Sequence, residues 1–397
     1  MKKINLRDKL VLLRIDINSP VVSKKVLDSP RFGESGKIIA GILRKGVKLV
    51  ILAHQGRKGN SDFTSLEQHA RILSRHVGKK IEYVDDLFGD KALGRINELK
   101  NGEAILMKNV RNYEEETDMN IKKNRFVEFS KLFDVFINEA FSDSHRKHSS
   151  IIVPPRYIPS AIGPEFKNEI EKLNHFAIHK KFRNTTIILG GSKVSDYFPL
   201  FKFLEERSNK IIAGGVIGNL FLKIEGVKFG YEDVWFRKNG YLKLMKEISR
   251  IYNRYRTQIV LPIDFALAGK KRNEFSLSKT PYNRKIMDIG HESVEKFKAE
   301  LNGANRIIMK GPLGFSEYSH FAYGTREIIR FVSSLNKKRH IPFLLGGGHL
   351  SSTASKDGLG QAHVSLAGGA TIQYLSEGRL PGLEAITASK RRFELRI

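Results

Sequence analysis

The stretch FLLGGGHLS, residues 343–351, decides how the chain is read. An apolar run stops, three glycines follow, and then come a histidine and hydroxyl residues. A short, continuous apolar run reads as a strand covered on both faces. Side chains are missing where that strand hands over to a helix. Similar junctions recur at GGSK (190–193), GGV (214–216), KGPLG (310–314) and AGGAT (367–371). In an open parallel sheet, ligands sit beyond the carboxyl ends of the strands, where glycine lets the backbone come close. A helix starting there aims free N–H groups and the positive end of its dipole at the ligand, which suits phosphate. Five such junctions in one half of the chain predict a phosphate-rich ligand. They are not the common nucleotide loops, because G-x-x-x-x-G-K-[ST] and a helix-opening G-x-G-x-x-G are both absent from the sequence.

The same alternation runs the length of the chain. Strands are expected at 9–18, 48–56, 81–86, 104–111 and 133–141, then at 185–191, 210–215, 259–264, 306–312, 342–348 and 363–369. Helical spacing fills the gaps, as in SLEQHARILSRHV (65–77), KNRFVEFSKLF (123–133) and YLKLMKEISRIY (241–252). This pattern predicts parallel α/β sheets with crossover helices. A chain of 397 residues is expected to form two domains. The boundary is placed between about residues 155 and 185, where Pro154, Pro155, Pro159 and Pro164 cluster. EFKNEIEKLNHFAIH (165–179) follows with helical spacing and reads as a hinge helix.

Composition narrows the function. The apolar fraction of 41% is ordinary for a globular protein, and cysteine is absent. Disulfides, thiolate metal sites and a cysteine nucleophile are thereby excluded. The amino-terminal apolar run is broken by Arg14 and Asp16, and no stretch approaches the ~20 apolar residues of a membrane span. A soluble, cytoplasmic protein without a membrane partner is the expectation. Lys and Arg number 69 against 42 Asp and Glu, a net charge of +27. Such an excess suits an anionic partner, either nucleic acid or a phosphorylated small molecule, but it also suits a Lys/Arg-rich surface. The bases are spread along the chain without a basic arm or an aromatic platform, which argues against a specific nucleic-acid partner.

Polar and basic groups follow the strands of the first half: RIDIN (14–18), AHQGRKG (53–59), KNVRNYEEE (108–116) and INEAFSDSHRKHSS (137–150). Arg14, Arg31, Arg57, Arg111 and Arg146 together would cradle a small anion bearing phosphate and carboxylate, since arginine grips both bidentately. His145 and His148 have a ligand-like spacing, but Arg146 and Lys147 beside them favour an anion over a cation. The first half therefore reads as a site for a small phosphorylated acid, and the second as a site for a nucleotide.

At this point RIDIN, AHQGR, KNVR, NEAFSDSHRKHSS, LGGSKVSD, AGG, LPID, DIG, KGPLGFSE, GGGH and SLAGGATIQYLSEGRLPG are all on view, in order. Together they resemble the phosphoglycerate kinase family from about residue 4 to 386. The resemblance implies two doubly wound, Rossmann-like α/β domains joined by a hinge helix. It puts the 3-phosphoglycerate domain at 1–165, the hinge at 166–184 and the nucleotide domain at 185–385, with a tail from about 386 to 397 returning to the first. The implied activity is reversible, direct in-line phosphoryl transfer from 1,3-bisphosphoglycerate to ADP after domain closure, giving 3-phosphoglycerate and ATP, a glycolytic step. Mg²⁺ would accompany the nucleotide, no metal would be held by the protein alone, and the molecule would be a monomer. Asp16, Asn18, Arg31, His54, Arg57, Arg111 and Arg146 would hold the acid. Gly191, Lys193, Gly214, Gly215, Lys310, Gly311, Pro312, Glu317, Gly346, Gly347, Gly348 and His349 would hold the nucleotide, with Glu317 on the ribose. Arg31 and Lys193, helped by the helix starts after Gly348 and Gly368, would neutralise the transferred group.

The chain also departs from that family. His349 stands where many members have aspartate, Tyr197 where a second lysine is common, and Lys310 where asparagine is usual. Lys310 is expected to replace the charge lost at Tyr197, and the departures together suggest an archaeal-type branch. A relative that binds without catalysis is the alternative.

Overall fold

The computed structural model describes every residue except 1, 4, 119, 121–122, 178–181, 348–349, 351–361 and 397. The chain forms two compact units, one of Met1–Glu171 with Arg379–Ile397, the other of Lys172–Gly378.

The first unit is built on β1 (Leu10–Arg14), β2 (Lys48–Leu52), β3 (Ile81–Val84), β4 (Ala104–Met107), β5 (Val135–Asn138) and β6 (Ser160–Ile162). They pair in the order β3-β4-β2-β1-β5-β6, all parallel. Helices Pro30–Leu43, Glu67–Val77, Asp90–Glu98 and Phe126–Lys131 make the crossovers. Successive residues alternate between two buried clusters: Val11, Leu13, Leu49 and Ile51 in one, Leu12, Val50 and Leu52 in the other. A sheet covered on both faces needs apolar residues at both parities, which is why these strands read as continuous runs.

The proline cluster is not an irregular boundary. Pro154 and Pro155 open a short helix, Pro154–Tyr157, the chain then adds β6 to the sheet edge, and Pro164 opens helix Pro164–Leu173. Proline suits the first helical turn because the N–H it lacks has no helical partner there. Helix Pro381–Arg392 packs on the first unit, with Gly382 N–H donating to Ser144 O at 2.9 Å and Ser389 Oγ to Ile158 O at 3.2 Å. The returning segment therefore begins at Arg379.

The second unit holds β7 (Thr185–Leu189), β8 (Lys210–Ala213), β9 (Ile259–Val260), β10 (Asp264–Leu267), β11 (Asn273–Ser276), β12 (Ile286–Ile289), β13 (Arg306–Lys310), β14 (Phe343–Gly346) and β15 (His363–Ser365). Its six-stranded parallel sheet runs β9-β8-β7-β13-β14-β15, a doubly wound order that reverses between β7 and β13. A small antiparallel sheet, β11-β10-β12, is appended. The run expected as one strand at 259–264 is split at Leu261–Ile263, and its two ends serve different sheets.

Candidate functional site

In the first unit the order of strands reverses between β1 and β5, and the loops leaving those strands carry the charge. β1 ends at Arg14, whose side chain is fully buried. Its guanidinium donates to Ser150 Oγ (3.0 Å), Asp143 Oδ2 (3.3 Å) and the Ile15 carbonyl, and lies 3.2 Å from His54 Nδ1. Every nitrogen of Arg14 is thus committed inside the unit. The expectation that it belongs to the anion cradle is corrected: Arg14 is scaffold.

Asp143 is the hub of this scaffold. Its carboxylate lies 3.1 Å from His54 Nδ1 and 3.6 Å from Arg111 Nη2. Burial works against its charge, yet His54, Arg14 and Arg111 hold the carboxyl well below its ordinary range. Burial also pushes the His54 imidazole down, against the pull of Asp143. The network continues outward: Arg111 Nη1 donates to Gly56 O at 2.5 Å, and Gly56 N–H donates to Asn18 Oδ1 at 2.9 Å. Asn18 N–H donates to Asp16 Oδ1 at 3.0 Å, and Arg31 and Ser142 both donate to the other Asp16 oxygen. Asp16, Asn18, Arg31, His54 and Arg111 therefore form one connected chain.

Arg57, Arg111 and Arg146 meet with Lys58 and His148 around a concavity of about 300 Å³. Arg57, Lys58, Arg111 and Arg146 outnumber Glu114 and Glu116 in its lining, a net positive charge that suits an anion. Asp16, His54 and Asp143 also bring ligand atoms within 4.8 Å of one another. Arginines already neutralise both carboxylates, which disfavours a metal ion there. Sequence reasoning misses Asp143, Ser142 and Ser150; their one signal is an acid and small hydroxyls set inside a basic motif.

In the second unit the loops leaving β7 and β13 cross in backbone contact. A Cβ on Gly190 would stand 2.2 Å from Pro312 O, and one on Gly311 2.3 Å from Gly190 O. Gly191 N–H donates to Pro312 O at 2.6 Å. Part of the glycine signal is thus internal, since these residues clear space for each other's backbone before any ligand arrives. Beyond the crossing lies a cleft of about 550 Å³. Gly191, Lys193, Gly215, Lys310, Gly311, Pro312, Glu317, Gly346, Gly347 and Gly368 all line it. Gly214 does not; a Cβ there would meet Leu313 Cδ2 at 2.5 Å, so its role is packing. Gly348 and His349 lie outside the described residues.

Two of the three glycines in FLLGGGHLS can be accounted for. A Cβ on Gly346 would crowd Lys310 Cδ at 2.9 Å, while Gly347 has φ +123° with open space around it. The first admits a lysine side chain, and the second turns the chain through a conformation that other residues resist.

The two lysines differ in kind. Lys193 is exposed and opens the 3-10 segment Val194–Glu205. Lys310 is tucked in, with Nζ donating to Gly368 O at 3.1 Å. Burial, only partly offset by Asp196 and reinforced by Lys193, pushes Lys310 down to about 8. Tyr197 is buried and donates its hydroxyl to the Gly190 carbonyl, so it braces the crossing loop. The acids of LPID and DIG serve the scaffold too: Asp264 accepts from Ser293 N–H at 2.8 Å, and Asp288 accepts from Gly324 N–H and from Arg272, both at 2.9 Å.

The comparisons with known proteins agree on one family. The family model described as phosphoglycerate kinase matches residues 1–378. A phosphoglycerate kinase of Archaeoglobus fulgidus is 36% identical over 392 residues, covering 96% of this chain and 94% of the relative. One from Methanopyrus kandleri is 33% identical over 397 residues, covering 97% and 96%. The crystal structure of phosphoglycerate kinase from Pyrococcus horikoshii superposes with a TM-score of 0.88 at 32% identity, covering 98% of both chains.

Proposed function

The chain belongs to the phosphoglycerate kinase family and is a phosphotransferase with a carboxyl acceptor, and from that premise we propose how its two units divide the work. The reaction moves a phosphoryl group reversibly from 1,3-bisphosphoglycerate to ADP. In our reading the first unit holds the phosphoglycerate. Arg57, Arg111 and Arg146 grip its phosphate in the cationic hollow, while Asp16, Asn18, Arg31 and His54 address the glycerate end. The second unit holds the nucleotide in the glycine-walled cleft, with Lys193 and Lys310 on the phosphates and Glu317 on the ribose.

The observation that carries this division is the contrast between the hollows. Around the first hollow Arg57, Lys58, Arg111 and Arg146 outnumber Glu114 and Glu116, whereas the second, walled largely by glycine and apolar residues, carries three lysines against four acids. Phosphoryl transfer needs alignment and charge neutralisation more than acid–base chemistry. A carboxylate oxygen of 3-phosphoglycerate attacks the γ-phosphorus of ATP as the bond to ADP breaks, and the reverse step retraces this path. Lys193, exposed at the cleft, faces the migrating charge, and Arg31 meets it from the acid side. Exclusion of water keeps the phosphoryl group from hydrolysis.

Mg²⁺ enters as part of the nucleotide substrate. In the cleft, Glu232 accepts from Ile286 N–H and Asp288 is tied to Arg272, and among the described residues the one convergent group of potential metal ligands, Asp16, His54 and Asp143, lies in the first unit. The nucleotide phosphates and water then supply the oxygen ligands that Mg²⁺ prefers. We further read the protein as a cytoplasmic monomer; no described helix is long and apolar enough to cross a membrane. No observation favours a relative that binds without catalysis.

A coupled assay with ATP, Mg²⁺ and 3-phosphoglycerate tests the proposal beside Arg57→Ala and Lys193→Ala. Arg57→Ala should raise KM for 3-phosphoglycerate, whereas Lys193→Ala should lower kcat. If Arg57→Ala instead raises KM for ATP and leaves KM for 3-phosphoglycerate unchanged, the division is wrong.

A further inference from the structure

Arg272 stands just before β11, an edge strand of the small antiparallel sheet, yet its side chain is only 17% exposed. Its guanidinium ties several segments together. Nε donates to Glu274 Oε1 in β11 at 2.6 Å, Nη1 to Asp288 Oδ2 in β12 at 2.9 Å, and Nη2 to the Ile289 carbonyl at 2.6 Å. Nη1 also donates to the His320 carbonyl at 3.1 Å, in the loop between β13 and helix Tyr323–Arg339. The guanidinium lies over the Tyr323 ring, 4.7 Å from its centroid. Asp288 is buried and fixes the guanidinium in turn. Such a forked, stacked arrangement is one that only arginine supplies.

The loop that Arg272 grips carries Glu317 into the lining of the cleft. Glu317 is itself exposed, so its aim depends on the backbone beneath it. That backbone folds back on itself. A Cβ on Gly314 would stand 2.6 Å from Phe321 O and 2.3 Å from Asp288 Oδ1. Phe315 N–H donates to Met287 O at 2.8 Å, and Gly324 N–H to Asp288 Oδ2 at 2.9 Å. Between these ends the turn closes through Tyr318 N–H to Phe315 O at 3.0 Å and Phe321 N–H to Tyr318 O at 2.8 Å. Arg326, in the helix that follows, holds the Ser319 carbonyl at 2.8 Å. Arg272 holds the next carbonyl, three residues from Glu317, and does so from a different sheet.

We propose that Arg272 is a positioning residue for the nucleotide: by holding the His320 carbonyl it sets the loop so that Glu317 meets the ribose hydroxyls. Arg272 touches no substrate and acts through Glu317. The small antiparallel sheet thereby gains a task, since it anchors the loop of the large sheet that reaches the sugar. The proposal rests on reading Glu317 as the ribose contact and adds what places it there.

Calorimetric titration of the full chain with ADP and with 2′,3′-dideoxy-ADP, which lacks both ribose hydroxyls, isolates that contact without requiring turnover. The wild type should bind ADP roughly tenfold tighter, the weight of a hydrogen bond to a charged group. Glu317→Ala should bring the two ligands within about twofold, because the acceptor is gone. Arg272→Lys keeps a cation for Asp288 but cannot fork to the carbonyls as well, so it should cut the ratio to about threefold or less. Arg272→Gln, checked by thermal melting, carries the same test if the lysine variant does not fold. Combined with Glu317→Ala, either change should narrow the ratio no further, since both act on one contact. A ratio that stays at the wild-type value in the Arg272 variants while Glu317→Ala loses it overturns the inference and leaves the ribose reading standing. So does equal weakening of both ligands, which is what a merely structural arginine would give. An unchanged ratio in Glu317→Ala, or equal binding of the two ligands by the wild type, overturns the ribose reading and the inference with it. Turnover that depends on 3-phosphoglycerate would survive either failure.

Discussion

The two units reach an anion site by opposite routes. In the first, side chains do the work: Arg14, His54 and Arg111 converge on Asp143, and the outer residues hang from that buried hub. In the second, backbone does it: loops from β7 and β13 cross at glycine and leave a cleft into which one exposed lysine and one tucked lysine reach. The first site is held by charge and loses its frame if one partner is removed. The second is held by topology and loses it if a side chain is added. A small, highly charged acid calls for pre-oriented guanidinium groups, while an extended nucleotide calls for room.

The largest expected effect breaks the first route. Asp143→Ala leaves Arg14 buried and unpaired, at a cost of about 3–5 kcal/mol in stability. Urea unfolding should show that loss; a cost below about 1 kcal/mol would mean Asp143 is not the hub. Next comes the exposed cation. Lys193→Ala should cut kcat by roughly 10²–10³-fold, read in the coupled assay, with stability unchanged by thermal melting. A drop in melting temperature of similar weight would mark Lys193 as structural.

Gly311→Ala breaks the second route. Its Cβ would press on Gly190 O at φ +78°, and overpacking of this kind costs about 1–3 kcal/mol. Paired with Asp143→Ala, the two losses should add, because the sites share no partner; strong coupling would contradict two independent frames.

A pH-dependent effect sharpens the contrast between the lysines. Lys310 is pushed down to about 8 when folded, against 10.5 for an ordinary lysine. Between these values the unfolded chain binds more protons, so stability should rise with pH from about 8 to 10.5. Below 8 that gain is absent. Lys310→Asn should abolish this rise, and a denaturation series across the range would reveal a persisting slope. The same variant should flatten any weakening of ADP binding above pH 8, since neutral Lys310 attracts phosphate poorly.

Much of this was legible because it is written in periodicity. Strands buried on both faces leave continuous apolar runs, and most of those expected here fall on strands of the two large sheets. β11 was not legible: NEFS is mostly exposed and polar, so no burial pattern marks it. β6 was masked by the prolines on either side of it. At the sites, arginines and glycines were legible as residue types, but their division into ligand-facing and scaffold groups was not. Arg14 and Arg111 look alike in sequence, yet one is sealed inside and the other lines the hollow. That distinction depends on where strand ends meet in space, as does the choice of Asp143 over its acidic neighbours.

The most direct test of the account is steady-state turnover of the wild type with MgATP as 3-phosphoglycerate is varied, repeated for Asp143→Asn. The account predicts turnover that depends on 3-phosphoglycerate in the wild type. In the variant, KM for 3-phosphoglycerate should rise while KM for ATP stays put, because only the first unit's frame is disturbed. An equal rise in both constants, or wild-type ATP consumption indifferent to 3-phosphoglycerate, would contradict it.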